Sequence, residues 1–189
     1  MPNDPYNPLD RRRLGETLVR ALEESKLFGL GPLSRFFGIG VYALYYRGAF
    51  PFYRKNVSPK KPIYIGKADP PGGRKGIELT GKETSRLYSR LAEHIESIRQ
   101  ASNLEIGDFD CRYLIVDPIW IPFLESLLIE KYRPIWNVKI EGFGIHHPGS
   151  GRKGQKKSVW DTIHPGRVFA EGLPSNEKAQ KILAELSST

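Results

Sequence analysis

Two rhythms of apolar and polar positions run along this chain. Leu14, Leu18, Leu22 and Leu27 recur at near-helical spacing and predict a helix over about 13–27. Gly29, Gly31 and Pro32 end it. Before it, residues 1–10 hold three prolines and two asparagines, an irregular arm. Residues 40–46 and 62–67 are apolar without alternation, as expected of central strands covered on both faces. Their connection, Arg47 to Lys61, is long and basic. Residues 69–82 are rich in Gly and Pro and predict a loop. Thr84 or Ser85 then caps a helix to about 101, whose buried stripe is Leu87, Leu91, Ile95 and Ile98. A third strand fits Asp110–Val116, with Cys111 as a small core residue. Asp117-Pro118 turns the chain into an apolar helix over 121–132, stopped before Pro134. Residues 135–140 predict a further strand, 141–158 a glycine-rich basic loop, and 175–186 a last amphipathic helix.

Composition narrows the class. The chain has 189 residues, 39% of them hydrophobic and 26% charged, which suits a globular fold with a sizeable core. The formal net charge of +8 points to a polyanionic partner, either nucleic acid or an anionic membrane surface. The basic residues lie in loops and not along a helix with a wide apolar face, which disfavours the membrane. A single cysteine excludes an intrachain disulfide and a cysteine-based zinc site. Neither a secretory leader nor a spanning run of about 18 apolar residues is seen, so a reducing cytosol is the expected location.

Several side chains stand out against this background. Tyr42 and Tyr64 fall mid-strand, where a buried hydroxyl needs a partner; both could simply be core tyrosines bonded to backbone. Arg90 and His94 sit one turn apart on one helix, at the edge of its buried stripe. They face either a cleft or solvent, where Glu93 or Glu96 would pair with them. Glu125 lies inside the apolar face of its helix, between Tyr132 and Ile129. A carboxylate there is costly unless paired or metal-bound, so an arginine or a divalent cation could answer it. Asn137, just past Pro134, either orients a neighbour or caps a turn.

Taken together, these residues resemble the GIY-YIG nucleases. Gly40-Val41-Tyr42 and Tyr64-Ile65-Gly66 look like the two motifs that name that superfamily, Arg90-x-x-x-His94 like its helix motif, and Glu125 with Asn137 like its metal-binding glutamate and supporting asparagine. The likeness covers roughly 38–140. Val41 replaces isoleucine, and the 21 residues 43–63 between Tyr42 and Tyr64 exceed the short hairpin usual in the family. A narrower likeness runs through Gly142-Phe143-Gly144, Pro148-Gly149, Gly151-Arg152, Trp160-Asp161 and Ile163-His164-Pro165-Gly166-Arg167. It is to a branch of type II restriction endonucleases whose members cut the palindrome CCGCGG as homodimers.

The resemblance implies a small α/β sandwich with a short, mostly antiparallel sheet flanked by helices, and helical extensions at both ends. One endonuclease domain would span 1–189, with a core at 38–140, an N-terminal arm and helix at 1–37, and a basic loop and C-terminal helix at 141–189. It also implies hydrolysis of a phosphodiester in double-stranded DNA with Mg2+, or Mn2+ as substitute, held by Glu125. Arg90 would relieve phosphoryl charge, and Tyr42 would be the general base, helped by His94 or Lys67 or passing its proton to His94. Tyr64 would position phosphate or water, and Asn137 would support Tyr64 or the metal site. For DNA contact the expectations are Arg152, Lys153, Lys156 and Lys157, with Arg74 and Lys75 second. His146, His147 and His164 are expected on phosphate or base edges, not on zinc. A homodimer would match a palindrome, and a cognate methyltransferase would accompany a restriction enzyme without binding it. A repair or mobile-element nuclease, and a non-catalytic DNA-binding protein on the same fold, are the competing readings.

Overall fold

The computed structural model describes residues 11–53, 55–70, 84–145 and 155–188. Four strands form one antiparallel sheet in the order β1 (Phe28–Gly29), β4 (Phe109–Ile115), β2 (Gly40–Tyr46), β3 (Tyr64–Ala68). All seven residues of β2 are buried, because helices cover both faces of the sheet. Side-chain alternation divides them. Val41, Ala43 and Tyr45 point to the layer of α1 (Arg11–Glu24) and α3 (Ile121–Tyr132), with Ile65, Leu124 and Leu128. Tyr42, Leu44 and Tyr46 point to the larger layer of α2 (Arg86–Gln100), α4 (Ile135–Val138), α5 (Val159–Ile163) and α6 (Glu177–Ser188). This is the α/β sandwich expected from the sequence. Among the described residues, no helix is long and apolar enough to cross a membrane.

Gly40 shows why the first motif needs glycine. Its φ is +152°, and a Cβ there would collide with the Leu114 carbonyl of β4. At Gly66 the demand is space alone, since a Cβ would collide with the Tyr42 phenol lying across β3.

Two local expectations are corrected, and one helix is added. Residues 135–138 form one helical turn, α4, not a strand. Pro134 starts it, and Trp136 must turn inward to be buried. A short apolar run carries too little periodicity to separate these outcomes. A helix, α5, follows directly on the expected 141–158 loop, capped by Ser158, whose Oγ accepts from Asp161 N–H. Phe28–Gly29, read as a helix end, pairs as the edge strand β1.

The long 47–61 connection packs against the C-terminal part of the chain. Tyr53 is buried at its centre. Its Oη accepts from Trp136 Nε1 at 2.7 Å and lies 2.5 Å from His164 Nε2. His164 is fully buried, and its Nδ1 faces Asn103 Oδ1 at 2.9 Å. The expectation that it meets phosphate or a base edge is therefore corrected: it is a neutral core hub, donating from Nδ1 and accepting at Nε2. Burial, aided by the nearby Arg167 charge, pulls its pKa from 6.5 down to about 3. The unfolded chain then takes up a proton that the folded one refuses. Its contribution is present above pH 6.5 and is lost as pH falls from there toward 3, at up to about 1.4 kcal/mol per pH unit. Urea unfolding of wild type and His164→Asn between pH 6.5 and 5 tests this: the variant should lose one proton's worth of the slope.

Candidate active site

The two named motifs meet across the sheet. Tyr42 pairs with Gly66 in the β2–β3 register, which places the Tyr42 and Tyr64 rings side by side, centroids 6.3 Å apart. From the helix layer His94 reaches between them. Its Nε2 is 2.6 Å from Tyr42 Oη, and both residues have no exposed surface. The His94 ring is held from two sides, edge to face with Tyr64 at 5.1 Å and stacked on Phe143 at 4.4 Å.

In front of the Tyr42–His94 pair lies a cleft of about 280 Å³ lined by Tyr42, Tyr64, Lys67, Asp69, Arg90 and Glu125, with Ala68 and Arg86 completing it. Arg90 lines the cleft and also pairs with Glu93 at 2.6 Å, so the two orientations left open by the sequence are both realised. Glu125 meets Lys67 at 3.2 Å, and Asp69 lies 3.7 Å from the same ammonium. The partner of the half-buried carboxylate is thus a lysine from β3.

Electrostatics in the cleft follow burial first. Burial lifts the Tyr42 phenol well above its ordinary value, outweighing the pull of Arg90. Tyr64 is raised to about 12 for the same reason, again against Arg90. Nearby cations therefore do not make either phenol a resident phenolate. Burial likewise raises the Glu125 carboxyl, against Lys67. Burial pulls the Lys67 ammonium down, but Glu125 and Asp69 outweigh it and leave it above its ordinary value.

Asn137 does not line the cleft. From α4, its Oδ1 accepts from Ile65 N–H and its Nδ2 donates to Ile65 C=O, both at 2.8 Å. One side chain thus satisfies both backbone groups on the open edge of β3, next to Tyr64.

A family model describing the Eco29kI GIY-YIG domain matches residues 34–188. The chain belongs to the Eco29kI GIY-YIG family, a family of restriction endonucleases. No curated protein matches it. Since the family match runs through α6, the C-terminal extension falls within the family domain and is not an appendage to it.

That extension builds a support the sequence reading did not assign. Arg167, only 1% exposed, forms a two-pronged pair with Asp161 at 2.6 and 2.9 Å. Its remaining N–H groups donate to the carbonyls of Gly142, Phe143 and Ile145 at 2.7–3.0 Å. All five guanidinium protons are used, the condition under which a buried ion pair is tolerated. The clamp fixes the backbone of Phe143, whose ring stacks on His94. The Asp161, Arg167 and Gly142-Phe143-Gly144 pattern was visible in the sequence; that it braces the histidine was not.

The expected DNA-contact residues divide. Arg74, Lys75, His146, His147, Arg152 and Lys153 lie outside the described residues. Lys156 makes an exposed ion pair with Glu177 of α6 at 2.7 Å, a contact weak enough to exchange for phosphate. Lys157 is half-buried, its backbone N–H bonded to Pro174 C=O.

Asn137→Ala should leave two buried backbone groups of β3 without partners and cost about 1–3 kcal/mol in urea unfolding. An unchanged unfolding free energy would show that the strand edge does not need this residue.

Proposed function

We propose that this member of the Eco29kI GIY-YIG family is a type II restriction endonuclease. It hydrolyses phosphodiesters within CCGCGG in double-stranded DNA, as a homodimer, with Mg2+ or Mn2+. A methyltransferase of matching specificity would protect the host DNA. The observation that carries the reading is the cleft itself: the phenol of the buried Tyr42–His94 pair, the Arg90 guanidinium and the Glu125 carboxylate line one space large enough to admit a phosphodiester.

The residues fit a hard divalent ion. Glu125 offers an oxygen ligand held by a lysine that can turn away, and the Asp69 carboxylate lies beside the same ammonium. Magnesium commonly takes one or two carboxylates and fills its remaining positions with water and phosphate oxygens. An ion at Glu125 would supply Lewis-acid relief to the phosphoryl group and the leaving 3′ oxygen.

The chain's own groups do the rest. Arg90 faces the phosphoryl oxygens as a permanent cation, where charge builds in the transition state. Tyr42 starts protonated, because burial holds its phenol high. It acts as a relay: Oη passes its proton to His94 Nε2 as it takes one from the attacking water. The 2.6 Å contact suits that transfer, with the second His94 proton on Nδ1. Phe143 keeps the imidazole aligned. Tyr64 and Lys67 orient phosphate and water at the cleft wall, and Asn137 holds Tyr64 through the β3 backbone.

Plasmid DNA incubated with the protein in Mg2+ should give discrete fragments with ends in CCGCGG. A chelator or Glu125→Ala should abolish them. Cutting without a fixed site would retain the nuclease and remove the restriction role; no cutting with any divalent ion would leave DNA binding alone. Tyr42→Phe should lower the single-turnover rate roughly 100-fold or more with DNA affinity largely kept, and a near-normal rate would remove Tyr42 from the relay. Because burial raises the Glu125 carboxyl, side-chain NMR of the metal-free protein should show its protonation setting in above the ordinary 4.5.

A further inference from the structure

A second concave surface lies along the same edge of the sheet. It is a groove of about 470 Å³ between the 47–61 connection and the α3–α4 corner. Lys55, Lys61, Arg133 and Lys139 stand on its walls, and among the described residues no carboxylate lines it. All four cations are exposed, and among the described residues none is in an ion pair, whereas Arg47, Lys131 and Lys156 are paired.

Arg133 adds an independent sign. It closes α3 at φ 47° and ψ 53°, and it is the one non-glycine residue with positive φ among the described residues. Glycine or asparagine suits that backbone better. An arginine in this less favoured backbone conformation, on the wall of a cationic groove, points to use of its guanidinium.

The groove is also placed in line with the cleft. Ile63 on its wall is four residues from Lys67 along the β3 edge, about 13 Å at strand rise. Arg133 is eight residues from Glu125 along α3, about 12 Å at helical rise. Phosphates on one DNA strand advance about 3.4 Å per base pair along the axis. The separation therefore spans about four base pairs.

We propose that this groove is a DNA-backbone clamp, seating phosphates about four base pairs from the scissile one. The inference rests on the endonuclease reading and extends it. These contacts reach phosphate alone, so they raise affinity without reading sequence. They also give the long connection between the two motifs a task. The other physical account is that the cations answer the negative ends of α3 and α6, both of which reach this corner through Tyr132 and Leu186.

The test compares Lys55→Gln/Lys61→Gln with its parent, both in a Glu125→Ala chain so that substrate survives. Affinity for a 30-base-pair fluorescent duplex carrying CCGCGG, and for one of scrambled sequence, is followed by anisotropy across a salt series. Loss of two phosphate contacts per protomer should flatten the plot of log affinity against log salt by about 0.9 for each lysine. The flattening should be equal on both duplexes, the unfolding midpoint unchanged, and Lys55→Arg/Lys61→Arg should keep the parent slope. An unchanged slope overturns the clamp, and a lowered unfolding midpoint with that slope assigns the lysines to the helix ends. If the parent binds neither duplex, the endonuclease reading falls with the clamp; if it binds and only the slope is unmoved, the clamp alone falls.

Discussion

The hydrogen bond between Tyr42 and His94 joins the central strand to α2, with neither residue exposed and the phenol at the inner wall of the cleft. A buried phenol and a buried imidazole are each costly alone, and each is tolerable because the other satisfies it. That single contact sets much of the surrounding chemistry. Burial keeps the phenol protonated at rest, so the proton transfer proposed above is a relay and not the work of a standing phenolate. The contact also demands that strand, helix and ring stay in register, because proton transfer is sensitive to fractions of an ångström.

The rest of the fold meets that demand by over-determining the two rings. Gly66 clears the space that the Tyr42 phenol occupies. Asn137 ties down the β3 edge beside Tyr64, and Phe143 packs against His94 and Tyr64 together. Phe143 is in turn held by the Arg167–Asp161 clamp, which has little freedom because every guanidinium proton is bonded. The C-terminal extension thus acts as a brace behind the Tyr42–His94 pair. The backbone it grips at Gly142–Ile145 leads directly into the glycine-rich basic loop expected to meet DNA.

In front of the rings the charges are looser. Glu125 and Lys67 form a partly exposed pair, and Arg90 is shared with Glu93. Such pairs exchange partners at little cost. The cleft therefore joins a rigid apolar floor to a polar wall free to rearrange around a phosphate and an ion. The division is physical: proton transfer needs fixed distances, while charge neutralisation tolerates adjustment.

Much of this was legible in the order of residues. Central strands buried on both faces announced themselves as unbroken apolar runs at 40–46 and 62–67. Helical spacing placed Arg90 over His94, and a carboxylate within an apolar stripe marked Glu125. These are local signals, set by periodicity and by the cost of burying charge. What sequence left open was decided by partners distant along the chain. Lys67 answered Glu125 across 58 positions, and Asn137 took the backbone of Ile65, 72 positions away. His164 turned inward to Tyr53, 111 positions away, and residues 135–138 coiled because the core needed Trp136. No local pattern encodes such choices, because the energy of burying a polar group depends on which group the fold brings to meet it.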